Sequence, residues 1–186
     1  MRGNFDVNGF VLQGNLDLNG FVVQITESVL LRINPGPPVL QLTDCISNGK
    51  TARVYTAVLE GQPVILKTVP WESEDLTREL TAYQRLGHLP CVPRLLGLYA
   101  PLGEDWVGFV LEDVGSPIGL MGFGDIADST REAILNAVIS IHHHGISHED
   151  VAARNVLMKD GHVFIIDFGE AVDTSACRTA APSCLR

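Results

Sequence analysis

The chain has 186 residues, 46% of them apolar, 19% charged and 6% aromatic, enough to bury a core without disulfides and too apolar for a wholly disordered chain. Thirteen Lys and Arg against 22 Asp and Glu give a net charge of −9 with no basic run, so nucleic acid is not expected as a partner. No membrane span or signal-peptide block is visible, and the four Cys (Cys45, Cys91, Cys177, Cys184) form no C-x-x-C pair, so a reducing, cytoplasmic or nuclear setting with free thiols is expected.

The first element is a repeat. Residues 3–13 read GNFDVNGFVLQ and residues 14–24 read GNLDLNGFVVQ. Alternating apolar residues and Asn-Gly pairs predict short strands or hairpins. Two copies are too few for a solenoid, so residues 1–38 read as an appendage without chemistry. The breaker cluster at 34–38 marks its end.

Strand-like runs follow at 39–42, 53–59 and 64–69, with a turn at 61–63. A helix is predicted over 74–86, with Ser73 as N-cap and Leu76, Leu80, Tyr83 and Leu86 at helical spacing. Further strands are expected at 95–100 and 106–111, then a Gly-rich stretch at 115–124. The capping box Ser129-Thr130-Arg131-Glu132 opens a second helix. Its apolar face is Ile134, Leu135, Val138, Ile139 and Ile141, and Gly145 stops it. The runs 156–158 and 163–166 form a hairpin around Lys159-Asp160-Gly161, and residues 173–186 read as a flexible tail. Segregated strands and helices point to α+β and not to a doubly wound sheet.

Several polar residues interrupt these apolar patterns. Lys67 shares a strand face with Ile65 and Val69, where it either holds an anion or reaches solvent at an edge. Glu79 lies on the helix stripe, where it either meets a cation or flanks a solvated face. Asp167 ends an apolar strand before Phe168-Gly169, a position that suits a metal or phosphate site and also an ordinary turn. Asp150 and Asn155 lie five apart between the second helix and the hairpin. A carboxylate for a hydroxyl and oxygen ligands for magnesium are what phosphoryl transfer needs.

These residues together resemble the eukaryotic protein kinase family. Its catalytic loop H-R-D-x-x-x-x-N reads His148-Glu149-Asp150-Val151-Ala152-Ala153-Arg154-Asn155 here. Its D-F-G is intact as Asp167-Phe168-Gly169, and its V-A-I-K reads Val64-Ile65-Leu66-Lys67. The resemblance covers about residues 39–172, and finer phrases look like the short kinase-like proteins common in fungi. It implies a bilobal fold with a β-rich N-lobe carrying one helix and a minimal helical C-lobe. It also implies ATP and Mg2+ as cofactors and a protein or small-molecule hydroxyl as acceptor. Lys67 would hold the α/β-phosphates and pair with Glu79. Asp150 would accept the substrate proton, and Asn155 and Asp167 would bind magnesium. Ser47, Gly49, Ala52 and Val54 would line the phosphate loop, and the backbone of Glu112–Val114 would meet the adenine.

The match has departures. Of the glycines in G-x-G-x-x-G-x-V only Gly49 is kept, and the Gly49-Lys50-Thr51 string lacks the upstream glycine of a P-loop. Glu149 replaces the family's Arg, which usually answers a phosphorylated activation loop. Seventeen residues follow Gly169, with no A-P-E motif. The Ala152-Ala153-Arg154 run resembles tyrosine kinases, but three residues do not fix the acceptor, and Ser/Thr is expected over Tyr. Consecutive His142, His143 and His144 point around a helix and not toward one metal. A small-molecule phosphotransferase of the aminoglycoside or choline kinase type and a non-catalytic pseudokinase are the alternatives.

Overall fold

The structure, a computed structural model, describes residues 2–7, 10–17, 20–24, 40–49, 52–99, 105–119, 123–124 and 126–175. The chain divides into two compact units, Met1–Leu76 with Arg94–Asp113, and Thr77–Pro93 with Val114–Arg186. Its secondary structure is α+β, as expected.

In the first unit the repeat forms an antiparallel sheet of β1 (Arg2–Val7), β2 (Phe10–Asp17) and β3 (Gly20–Gln24), with Val7 opposite Phe10 and Asp17 opposite Gly20. A second antiparallel sheet holds β4 (Leu40–Asn48), β5 (Arg53–Leu59), β6 (Gln62–Pro70), β7 (Leu95–Tyr99) and β8 (Trp106–Glu112) in the order β4-β5-β6-β8-β7. The strand expected at 39–42 runs on to Asn48. Register shifts after Leu42 and after Cys45 break the alternation that would have revealed its length. The turn expected at 61–63 is tighter. Glu60 and Gly61 take left-handed backbones (φ 51° and 78°), Leu59 faces Gln62, and Gln62 and Pro63 already belong to β6. Ala57, Val64, Leu66 and Val110 form a buried cluster backed by Leu40, Tyr55, Leu59 and Leu96.

Helix α1 (Glu74–Leu86) has the predicted bounds. Its cap is also as predicted, since the Ser73 hydroxyl accepts the Asp75 N–H at 3.1 Å. Glu79 occupies the buried stripe with Leu76, Tyr83 and Leu86, while Leu80 is half-buried.

The second unit contains helix α2 (Asp128–His143) and the short strand pairs β9 (Ser116–Pro117) with β11 (Val156–Lys159), β11 with β12 (His162–Ile165), and β10 (Ile146–Ser147) with β13 (Val172–Asp173). Two expectations for α2 fail. Ala127 is its N-cap, with no side-chain cap bond, because the helix starts ahead of the Ser129 box and Ser129 lies inside the first turn. Its buried face is Ile134, Ala137 and Ile141, packed on β12, and Leu135 and Ile139 are exposed. Spacings of three and four residues keep one face inward, and Leu135 and Ile139 fall one step round from it. Gly145 ends the helix as expected, with φ 80° and its N–H bonded to the His142 carbonyl. The hairpin turn is Asp160-Gly161, both left-handed. Of the tail expected over 173–186, Asp173 lies in β13 and Ser175 bonds to it. Residues 176–186 lie outside the described residues.

Candidate active site

In the first unit the candidate residues are placed by strand register. Ser47 faces Val54, Val54 faces Lys67 and Lys67 faces Phe109, across four neighbouring strands. Directly opposed residues share a sheet face, so three of the residues expected on the phosphate side form one row. Lys67 is half-buried, and the buried Val64 and Leu66 alternate with it toward the opposite face. At the β4–β5 turn a side chain on Gly49 would meet the Ala52 carbonyl at 2.9 Å, so the retained glycine permits a close backbone approach. Lys50 and Thr51 lie outside the described residues. Glu112 closes β8 with its N–H bonded to the Arg94 carbonyl at 3.0 Å and its carboxylate to Arg94 Nε at 3.1 Å. That N–H is therefore already engaged, which narrows what Glu112 offers an adenine to other backbone groups. Val114 is buried and belongs to the second unit.

In the second unit the site is built by hydrogen bonds. His148 is buried and its Nε2 bonds the Ile166 carbonyl at 2.9 Å, while its Nδ1 accepts the Asp150 N–H at 3.3 Å. A carbonyl only accepts and an amide N–H only donates, so these partners select the tautomer with the proton on Nε2. Glu149 makes the corner with φ 62°. The Asp150 carboxylate then receives Asn155 Nδ2 at 2.9 Å and Arg154 Nη2 on both oxygens, at 2.8 and 2.6 Å. Asn155 Nδ2 also donates to the Asp150 carbonyl at 3.0 Å. A single 3-10 turn (Ala153–Asn155) brings Asn155 back onto Asp150.

Ile166 links this loop to Asp167. Its N–H bonds the Asn155 carbonyl at 3.0 Å and its carbonyl bonds His148. Asp167 follows with φ 68°, a conformation unusual for a residue with a side chain. Phe168 is fully buried between two rings, with Tyr83 edge-on at 5.4 Å and His148 at 4.9 Å. Burial, then the Glu79 and Asp167 carboxylates, push the Tyr83 hydroxyl well above the ordinary phenol range, with a smaller opposing contribution from the Asp167 backbone. Glu79 and Asp167 therefore both lie within charge range of one buried phenol.

The second unit thus ties Asp150 and Asn155 to the backbone just before Asp167, and sets Asp167 and Glu79 around one phenol. Sequence reasoning missed Tyr83, Ile166, Arg154 as a partner of Asp150, and the ring role of His148. Tyr83 carried a signal, since it stands one turn from Glu79 on the same stripe.

The donor set fits a hard cation. Asn155 is buried with its amide nitrogen bonded to Asp150, which leaves its amide oxygen outside that contact, and Asp167 follows Ile166, whose N–H bonds the Asn155 carbonyl. Among the described residues no cluster of three His, Cys, Asp or Glu forms a metal site, and the ring of His144 packs on His88 at 5.0 Å. No helix among the described residues is long and apolar enough to cross a membrane. No curated protein matches the chain. The family model of the protein kinase domain matches residues 40–184, and the chain belongs to that family.

Proposed function

We propose that this is an ATP- and Mg2+-dependent protein kinase that transfers the γ-phosphoryl group to a protein hydroxyl, Ser or Thr in preference to Tyr. One observation carries the reading. Asp150 and Asn155 are in direct contact at 2.9 Å on a loop tied through Ile166 to Asp167. A proton acceptor and two oxygen ligands are thereby held by one hydrogen-bonded frame. Asp150 orients the acceptor hydroxyl and takes its proton as the new O–P bond forms and the bond from the γ-phosphorus to the β–γ bridging oxygen breaks, with ADP as the leaving group. Asn155 and Asp167 would hold magnesium, which when bound neutralises charge on the phosphates. Lys67 holds the α/β-phosphates, and Ser47, Gly49, Ala52 and Val54 cover them.

The test is transfer of phosphate from ATP by the purified chain over a panel of protein and small-molecule acceptors, beside Asp150→Ala and Asp167→Ala. The expected loss is about 10²–10⁴-fold for Asp150→Ala. For Asp167→Ala the expected result is loss of magnesium-dependent ATP binding. A parent chain that binds no ATP with magnesium overturns the reading. Transfer only to small molecules moves it to an aminoglycoside- or choline-kinase-type phosphotransferase.

A second reading, a nucleotide-binding module without turnover, is favoured by Arg154, which sits on both oxygens of Asp150. In that case Arg154→Ala switches transfer on. In the first reading transfer is present without it.

A further inference from the structure

The segment after Asp167 has little hydrophobic hold. Beyond Phe168, only Gly169 and Ala171 are buried in it, while Glu170, Val172, Asp173 and Ser175 are exposed. Its strand β13 is two residues long. Segments with few buried contacts open at low free energy. Something else must keep this one ordered.

Two arginines on one face of α1 reach it. Arg78 Nη1 donates to the Gly169 carbonyl at 3.4 Å. Arg85 meets the Asp173 carboxylate with both nitrogens, at 2.8 and 2.7 Å. The arginines are seven residues apart, about 10 Å along the helix. The four residue steps from Gly169 to Asp173 span at most about 14 Å, enough for the segment to reach from one arginine to the other. Tyr83, between the arginines, packs on Phe168. The Arg85 end is the more elaborate. Arg85 Nη1 also bonds the Gly145 carbonyl at 3.1 Å, and that carbonyl takes the Thr174 N–H at 2.8 Å. Ser175 adds its N–H at 2.8 Å and its hydroxyl at 2.5 Å to Asp173 Oδ1. A side chain on Gly145 would press on Arg85 at 3.3 Å and on Ser175 at 3.4 Å, so the turn is shaped to this pair.

We propose that Arg85 and Asp173 are positioning residues, a charge clamp that fixes the segment behind Asp167 so that the metal-binding carboxylate is presented without an added phosphate. This rests on the phosphotransfer reading above. Glu149 supports it independently of the clamp, because the position where an arginine would answer a phosphorylated segment holds an acid. The fixed carboxylate of Asp173 occupies the role that a phosphate plays elsewhere, and the cation comes from helix α1. The Asp173 carboxyl is held well below the usual carboxylate range, by Arg85 first and then by Ser175, so the pair stays charged through the neutral range.

An exposed ion pair adds little to global stability, so the readout must be local. Full-length Asp173→Asn and Arg85→Gln are compared with the parent and with the reversed pair Arg85→Asp/Asp173→Arg. Hydrogen exchange over residues 168–175 is measured first, then the affinity for ATP with and without Mn2+. Each single variant is expected to raise exchange about tenfold. If the competent state falls to a fifth of the population, Mn·ATP binds about fivefold more weakly. Metal-free ATP binding stays unchanged, the reversed pair, which restores the charge contact but not the Ser175 and Gly145 bonds, recovers part of both losses, and phosphatase treatment of the parent alters neither. Unchanged exchange, equal weakening with and without metal, or no recovery overturns the clamp. A parent that binds Mn·ATP with an affinity indifferent to the pair overturns this inference alone. A parent that binds no Mn·ATP overturns the phosphotransfer reading and the positioning role with it, even if exchange still follows the pair.

Discussion

The two units hold their candidate site residues by different means. In the first, Ser47, Val54 and Lys67 are placed by cross-strand register, and their neighbours are apolar strands. In the second, Asp150, Asn155 and Asp167 are placed by a hydrogen-bonded loop with two residues in the left-handed region, Glu149 and Asp167. Register is redundant, because every rung of a ladder repeats it. A loop network is not, because each donor has a particular acceptor and a strained corner persists only while its surroundings hold it. The second unit is therefore where single polar substitutions are expected to act most strongly.

The largest effect tests that contrast directly. Asp150→Asn keeps the side-chain shape and removes the charge that Arg154 pairs with and that, in the proposed function, takes the substrate proton. Transfer is expected to fall about 10²–10⁴-fold, with ATP affinity little changed. Single-turnover assays and calorimetric ATP titration separate the two quantities. A matching loss of ATP affinity would place Asp150 in nucleotide binding instead.

Glycine substitutions sharpen the comparison on stability. In the second unit Gly115 has φ 95°, and a side chain there would strike the Met158 carbonyl, which as backbone cannot turn aside. In the first unit a side chain on Gly108 would strike the Leu66 side chain, which can change rotamer. Gly115→Ala is expected to cost about 3 kcal/mol, combining backbone strain with a clash. Gly108→Ala is expected to cost about 1–2 kcal/mol of overpacking. Urea unfolding of both variants checks the order, and a larger loss for Gly108→Ala would reverse it.

The same division decides what could be read in advance. The strand at 53–59, the helix at 74–86 and the Ser73 cap follow from apolar spacing and one short-range bond, and all three stand as predicted. Lys67 and Glu79 were visible because they break a periodic pattern. The full length of β4 was hidden by its bulges. The Ser129 capping box failed because a local motif lost to a helix start fixed at Ala127. Leu135 and Ile139 belong to the apolar face expected of α2 yet are exposed, because apolar identity shows a residue fit for burial but not which side of a helix is covered. Arg85 with Asp173, and His148 with Ile166, join residues 88 and 18 positions apart, and no periodicity connects them.

A smaller effect concerns Tyr83 and pH. An unfolded tyrosine ionises near about pH 10, whereas burial and the two carboxylates hold folded Tyr83 well above that. Below pH 10 both states are protonated, and the contribution is level. Above it the unfolded state sheds a proton that the folded state keeps, so stability falls as pH rises toward the folded value. Tyr83→Phe lacks this loss. Over pH 8 to 11 the difference in urea midpoint between parent and Tyr83→Phe is expected to stay level up to about pH 10 and then to shift toward the variant. A constant difference across that range would show that the phenol is not held neutral.

The smallest effect compares thiols in the two units. Cys45 lies exposed in β4, and Cys91 is half-buried, with its carbonyl accepting the Ile165 N–H at 2.8 Å. Burial pushes the Cys91 thiol up, which lowers the fraction present as the reactive thiolate. In a Cys177→Ser/Cys184→Ser background, a disulfide reagent at pH 8 is expected to label Cys45 first and Cys91 at least about tenfold more slowly. The slow rate has two sources that urea separates. A thiol limited only by its acidity reacts at a rate that sub-denaturing urea leaves flat. A thiol limited by local opening accelerates as the Cys91–Ile165 bond is released, and the slope reports how much surface that opening exposes. Acceleration is expected, because the bond joins the chain after α1 to β12, which leads directly into Ile166 and Asp167. A flat response would mean that the segment under the second unit's loop is already open in the native state, and the contrast with the first unit would then rest on the loop's own hydrogen bonds alone.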